Sequence, residues 1–75
     1  MNLSDLQIGE KGRILSIKQG DKSYRQRLLA MGLVPGTIFE IARLAPLGDP
    51  VEISVRGYAL SLRLGEAQIL QVERA

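Results

Sequence analysis

The sequence predicts a mainly β domain with one α-helix inserted after the first strand. Three observations carry this: apolar residues alternate with period two over 38–43, 51–56 and 58–63, one helical stripe lies between residues 23 and 31, and Gly or Pro punctuates every junction. The chain has 75 residues, which is one small domain; such a domain hides only about 60% of the surface of its unfolded chain. No second domain or deep catalytic cleft is expected, and residues 1–75 are read as one unit.

Taken in order, Gly12-Arg13-Ile14-Leu15-Ser16-Ile17-Lys18 reads as the first long strand, with Leu15 and Ile17 on one face and Ser16 and Lys18 on the other. Gln19-Gly20-Asp21-Lys22 follows as a turn. Ser23 stands three residues before Gln26, the capping-box spacing, so a helix is expected to start there. Tyr24, Leu28 and Met31 fall in one narrow stripe at i, i+4 and i+7, and Gly32 supplies the residue that can take positive φ past the last turn. Leu33 is placed to fold back over the stop. Leu29 lies more than a quarter turn from the stripe, so a large apolar residue points away from the core.

Val34-Pro35-Gly36-Thr37 has type II turn chemistry, with Pro presetting φ and Gly accepting its positive value. Phe39, Ile41 and Arg43 then alternate with Ile38, Glu40 and Ala42. After the break at residues 45–50, Val51, Ile53 and Val55 alternate with Glu52, Ser54 and Arg56. Arg56-Gly57 separates this run from Tyr58, Leu60 and Leu62, the signature of a tight hairpin. Residues 63–67 suit one helical or 3₁₀ turn, and Leu70 and Val72 make a last short strand. Five short strands of this kind suit a closed SH3-like five-stranded barrel with the helix packed against it, because an open sheet leaves two raw edges.

Composition excludes several function classes. The chain has no His and no Cys, so zinc fingers, iron–sulfur and haem ligation, disulfides and Cys or His nucleophiles are ruled out. Asp49 with Glu52, or Asp21, offer too few oxygens for a hard divalent cation, so no metal site and no cofactor are expected. No phosphate loop is present, since Gly20-Asp21-Lys22-Ser23 lacks the Gly-Lys pair, and no acidic pair is placed for general acid–base work. The expectation is a chain that is not an enzyme. Its N-terminus has neither the charged nor the apolar part of a signal peptide, and no apolar run approaches the ~20 residues of a membrane span. A cytoplasmic protein with no direct membrane insertion is expected.

Ten Lys and Arg face eight Asp and Glu, for a net charge of +2. The basic residues are scattered and aromatics form only 4% of the chain, so no nucleic-acid partner is expected; a barrel binding RNA or DNA through Lys11, Arg13, Lys18 and Lys22 is the alternative. The surface left for a protein partner is the helix end with Arg25, Arg27, Leu29, Gly32, Leu33 and Pro35, and the stiff loop with Pro46, Leu47 and Asp49. The plainer reading makes Leu29 a lid on the barrel mouth, Arg25 and Arg27 a solvated face, and Pro46 and Pro50 turn formers.

Tyr24-Arg25-Gln26-Arg27-Leu28-Leu29-Ala30-Met31-Gly32-Leu33-Val34-Pro35-Gly36, then Ala45-Pro46-Leu47-Gly48-Asp49-Pro50-Val51-Glu52-Ile53 and Leu60-Ser61-Leu62-Arg63, resemble the FeoA family over nearly the whole chain. The resemblance implies a small cytoplasmic SH3-like accessory protein in ferrous-iron uptake. Its partner would be a FeoB-like membrane ferrous iron transporter carrying its own cytoplasmic GTPase domain. The fold also resembles the C-terminal SH3-like domain of metal-dependent repressors of the diphtheria-toxin-repressor type. Within this frame Leu29 and its neighbours would dock on the transporter, with Arg25 or Arg27 as a candidate arginine finger. A weak homo-oligomer using Leu29 as a subunit contact is the remaining alternative.

Overall fold

A computed structural model of the chain describes residues 1–20 and 22–75. A 3₁₀ turn, Leu3–Asp5, precedes strand β1, Lys11–Ile17, and helix α1, Lys22–Ala30. Then come β2, Ile38–Leu44, β3, Val51–Val55, β4, Tyr58–Leu62, helix α2, Leu64–Gln68, and β5, Leu70–Arg74. The strands form one antiparallel sheet in the order β4-β3-β2-β1-β5, with α1 in the connection between the neighbours β1 and β2.

The five strands and the inserted helix are those the alternation predicts, but the expected closure is not made. Strands β4 and β5 do not pair. Residues 1–2 occupy the free edge of β5 instead: Val72 N–H donates to the Met1 carbonyl at 3.0 Å, and Asn2 bridges to Gln71. The helix α2 spans the gap in the chain between the two edge strands.

The core is built from Ile14, Leu28, Leu33, Phe39, Ile41, Val51, Ile53, Val55, Leu62, Leu70 and Val72, joined by Leu3, Leu6 and Ala67. The β3–β4 hairpin follows its sequence signal closely. Arg56 at φ 51° and Gly57 at φ 85° make the two-residue turn whose twist matches the strands, and Val55 faces Tyr58 across it.

In β1 the inward row differs from the one expected. Ile14 is buried while Leu15 is 43% exposed and Ile17 half-buried, because the register against β5 shifts between Ile14 and Ser16. A bulge adds one residue to one strand and changes the face of everything beyond it. A second shift between Ile41 and Arg43 ends the alternation of β2 in the same way, leaving Arg43 and Leu44 exposed.

Gly12 is where β1 crosses the aromatic core. A Cβ there would stand 2.5 Å from Phe39 Cζ and 2.9 Å from Leu6 Cδ1. Gly12→Ala is expected to cost about 1–3 kcal/mol by overpacking, read as a lower chemical-denaturation midpoint at unchanged slope.

Glu10 ties the approach to β1 onto β5. Its carboxylate accepts from Arg74 Nε at 2.9 Å and from the Gln7 N–H at 2.7 Å, and these two bonds, Arg74 first, hold the Glu10 pKa below its ordinary value. The folded state therefore binds this proton less readily than the unfolded chain does. Its contribution is complete above the unfolded carboxyl value and is lost as pH falls through the folded one. Glu10→Gln should flatten the acid limb of unfolding midpoint against pH; an unaltered limb would show that Arg74 and Gln7 confer nothing there.

Candidate functional site

Helix α1 ends in a Schellman motif. The Leu33 N–H donates to Leu28 O and the Gly32 N–H to Leu29 O, both at 3.0 Å, with Gly32 at φ 85°. Leu28 and Leu33 are fully buried and form the apolar contact that accompanies this stop. One residue beyond Leu28, rotated out of the core, Leu29 is 41% exposed. The outward position of Leu29 is thus set by the same geometry that buries its neighbour.

The helix end is held from several directions. Tyr58 Oη donates to Met31 O at 2.7 Å, and Thr37 Oγ1 donates to Gly32 O at 3.2 Å. Arg25 Nη1 reaches Ile17 O at 3.4 Å. Arg27 Nη1 donates to Glu66 Oε2 at 2.6 Å, and Glu66 is fully buried while the Arg27 side chain is 53% exposed. The second Glu66 oxygen accepts from the Arg63 N–H at 3.1 Å, so the carboxylate joins α1 to the start of α2.

Between α1 and β4 lies a cavity of about 390 Å³ lined by Arg27, Asp49, Pro50, Ser61 and Arg63. The helix and the 45–50 loop, two separate surfaces in the sequence, meet here through Arg27 and Asp49. Asp49 Oδ1 accepts from the Leu64 N–H at 3.0 Å, which fastens the loop to α2. A second cavity of about 320 Å³ is lined by Gln19, Gly20, Lys22 and Arg25.

Of the residues proposed for partner contact, Arg25, Arg27, Leu29, Pro35, Pro46, Leu47 and Asp49 are exposed and Gly32 is half-buried. Leu33 is a correction: it is 0% exposed, because the Schellman turn drives it inward, and it cannot offer a surface. Leu47 stands 95% exposed at the tip of its loop and, with Pro46, is not among the residues lining the cavity. Pro35 sits in the expected turn, where Gly36 takes φ 91° and Thr37 N–H donates to Val34 O.

One core assignment and one helix start also change. Tyr24 is 38% exposed, its ring lying against Gly65 of α2 instead of entering the core; α1 buries only Leu28. Ser23 falls inside the first turn of α1, which begins at Lys22. The turn expected over 19–22, and the oxygen ligand weighed at Asp21, involve a residue outside those described.

Sequence reasoning did not single out Ser61, Arg63 or Glu66. Glu66 carries a readable signal, since it follows Arg63 by three residues at the start of a short helical turn, where a carboxylate reaches back to the cap N–H. Among the described residues no group of three or more Asp and Glu is arranged to hold a metal ion, and no helix is long and apolar enough to cross a membrane.

The family model described as the FeoA domain matches residues 1–74. The chain belongs to the FeoA family. It is 37% identical over 73 residues to an Fe(2+) transport protein A/Fe(2+) transporter FeoB fusion protein of Porphyromonas gingivalis, covering 97% of this chain and 8% of that relative's length. The solution structure of iron(II) transport protein A from Clostridium thermocellum superposes with a TM-score of 0.90 at 36% identity, over 100% of this chain and 46% of that one. The FeoA protein of Chlorobium tepidum gives 0.88 at 36% identity, over 99% and 70%. A Stenotrophomonas maltophilia FeoA solved with zinc and described as a procaryotic SH3 domain protein gives 0.83 at 25%, over 97% and 89%, which agrees with the SH3-like reading. The fold is shared with T. acidophilum IdeR as well, which matches at TM-score 0.88 but 21% identity, over 100% of this chain and 34% of that one.

Proposed function

We propose that this FeoA-family chain is an accessory protein of ferrous-iron uptake that docks on the cytoplasmic, GTPase-bearing part of a FeoB-like transporter. The observation that carries the reading is the exposed Leu29 on a rigidly stopped helix. An apolar side chain fixed by the Schellman turn loses little freedom on binding, which lowers the cost of association. Support for the partner comes from the P. gingivalis relative, which carries the A protein and the transporter in one chain. Joining two modules in one chain raises their effective concentration toward each other, which is useful when they bind.

The chain contributes contact and not catalysis in this reading. Arg27 is held in place by one nitrogen on Glu66, so Arg25, with its long 3.4 Å bond to Ile17 O, is the arginine freer to reach a partner's nucleotide. The nucleic-acid alternative is less favoured by the placement of its cations. Arg13 pairs with Glu73 at 2.7 Å and Lys11 lies opposite Glu40 in the sheet, so these charges are balanced on their own face.

Leu29→Asp tests the docking. The isolated cytoplasmic region of a FeoB-like transporter should retain the wild-type chain and release the variant, with an unchanged circular dichroism spectrum. Equal retention of the two would refute docking through Leu29. Light scattering on the same pair separates the homo-oligomer alternative, in which Leu29→Asp changes the mass of the chain alone.

A further inference from the structure

The open sheet has two edges, and they are treated differently. The β5 edge is paired with residues 1–2. In the β4 hairpin, Tyr58, Leu60 and Leu62 face Val55, Ile53 and Val51, and the pair that closes a two-residue turn is the hydrogen-bonded one. Ala59 and Ser61 therefore turn their N–H and C=O away from β3. Among the described residues nothing bonds to them on that side.

Natural edge strands are blunted by Pro, by charged residues or by bulges. Tyr58-Ala59-Leu60-Ser61-Leu62 has no Pro and no charge, and its pairing with β3 is unbroken. Helix α1 runs past this edge. Tyr58 bonds to Met31 at one end, and at the other Arg27 faces Ser61 across the 390 Å³ cavity.

Two arginines and Asp49 line the cavity, with Glu66 buried behind Arg27, and the bonding of these charges is unequal. Both Glu66 oxygens and one Asp49 oxygen accept bonds inside the fold. The Arg63 guanidinium has no bonded partner among the described residues, and Arg27 uses a single nitrogen. The slot thus presents an unpaired strand edge beside unspent cationic donors.

We propose that this slot takes an extended acidic segment of the docking partner. The segment adds to β4 at Ser61 and places a carboxylate on Arg63 and on the edge of Arg27 that Glu66 leaves free. This rests on the reading that the chain docks on a protein, and it assigns a second contact, separate from Leu29.

The test uses two synthetic nine-residue peptides of alternating Val and Glu, or Val and Lys, titrated into the ¹⁵N-labelled full chain. The Glu peptide should shift the Ala59, Ser61 and Arg63 amides saturably and slow hydrogen exchange at Ser61, and Arg63→Glu should weaken it by about tenfold. The Lys peptide should leave these amides in place. Unmoved amides with the Glu peptide, or equal shifts with both peptides, would overturn the proposal. So would shifts that appear on concentrating the chain alone, which would assign the edge to a second copy. Leu29→Asp separates the two readings: if it releases the transporter while the slot amides stay inert to the Glu peptide, docking stands and the slot proposal falls. If the Glu peptide binds at Ser61 and Leu29→Asp leaves transporter retention intact, the slot stands and docking through Leu29 falls.

Discussion

Arg27→Ala is expected to lower the stability of the domain by about 1–3 kcal/mol, far more than a surface arginine usually contributes. The cause lies at the other end of the bond. Glu66 is fully buried, and among the described residues Arg27 is its only cationic partner. Removing the guanidinium leaves a carboxylate in the interior with one backbone N–H, from Arg63, to stabilise it. Breaking a fully buried pair costs about 3–5 kcal/mol, and the lower range follows because half of Arg27 is in water, which can enter behind it. Glu66→Gln should cost less, since a neutral amide keeps the cap to Arg63 and removes the charge. The double variant should then be more stable than the two single losses added together, and denaturant unfolding of all four proteins measures that coupling. Strict additivity would mean that the 2.6 Å contact carries no net energy.

Leu3→Ala is expected to cost about 2–5 kcal/mol and to leave a measurable unfolded population in a domain of this size. Leu3 is 0% exposed and Leu6 2%, and both belong to the same core as Phe39 and Ile53. The 3₁₀ turn that carries Leu3 packs against α2 and β5, so it covers the core on that side of the sheet. The edge contact of residues 1–2 with β5 depends on this anchor. Thermal unfolding followed by circular dichroism checks the expectation, with Ser4→Ala on the exposed side of the same turn as the variant that should change little.

The strands and helix are readable in the sequence where local chemistry decides alone. Arg56-Gly57 forces the hairpin, Gly32 ends α1, and Pro35-Gly36 makes the turn into β2. What the sequence hides depends on partners far along the chain. The bulge that buries Ile14 and exposes Leu15 arises from register against β5, more than fifty residues away, and a one-residue shift reverses every face. Residues 1–6 have no period to read, because a single 3₁₀ turn plants two leucines without repeating. Barrel closure failed as an expectation for a related reason: the edge of β5 finds its partner in residues 1–2 and not in β4.

The site divides in the same way. The outward Leu29 follows from helical geometry, and the inward Leu33 from the hydrogen bonds that stop the helix. The slot joins residues from α1, the 45–50 loop, β4 and the start of α2, and no spacing in the sequence links Arg27 to Ser61 and Arg63. Asp49 was legible as part of a stiff loop, but its bond to Leu64 N–H shows it holding α2.

In the docking proposed above, a FeoB-like cytoplasmic region meets this chain at the end of α1. Titrating that unlabelled region into the ¹⁵N-labelled full chain measures it directly, amide by amide. Loss or shift of the Arg25, Leu29 and Gly32 signals is expected at substoichiometric to equimolar partner, with Lys11 and Arg13 of β1 unchanged. Perturbation confined to Lys11, Arg13 and Lys18, or no perturbation at a saturating concentration, would contradict it.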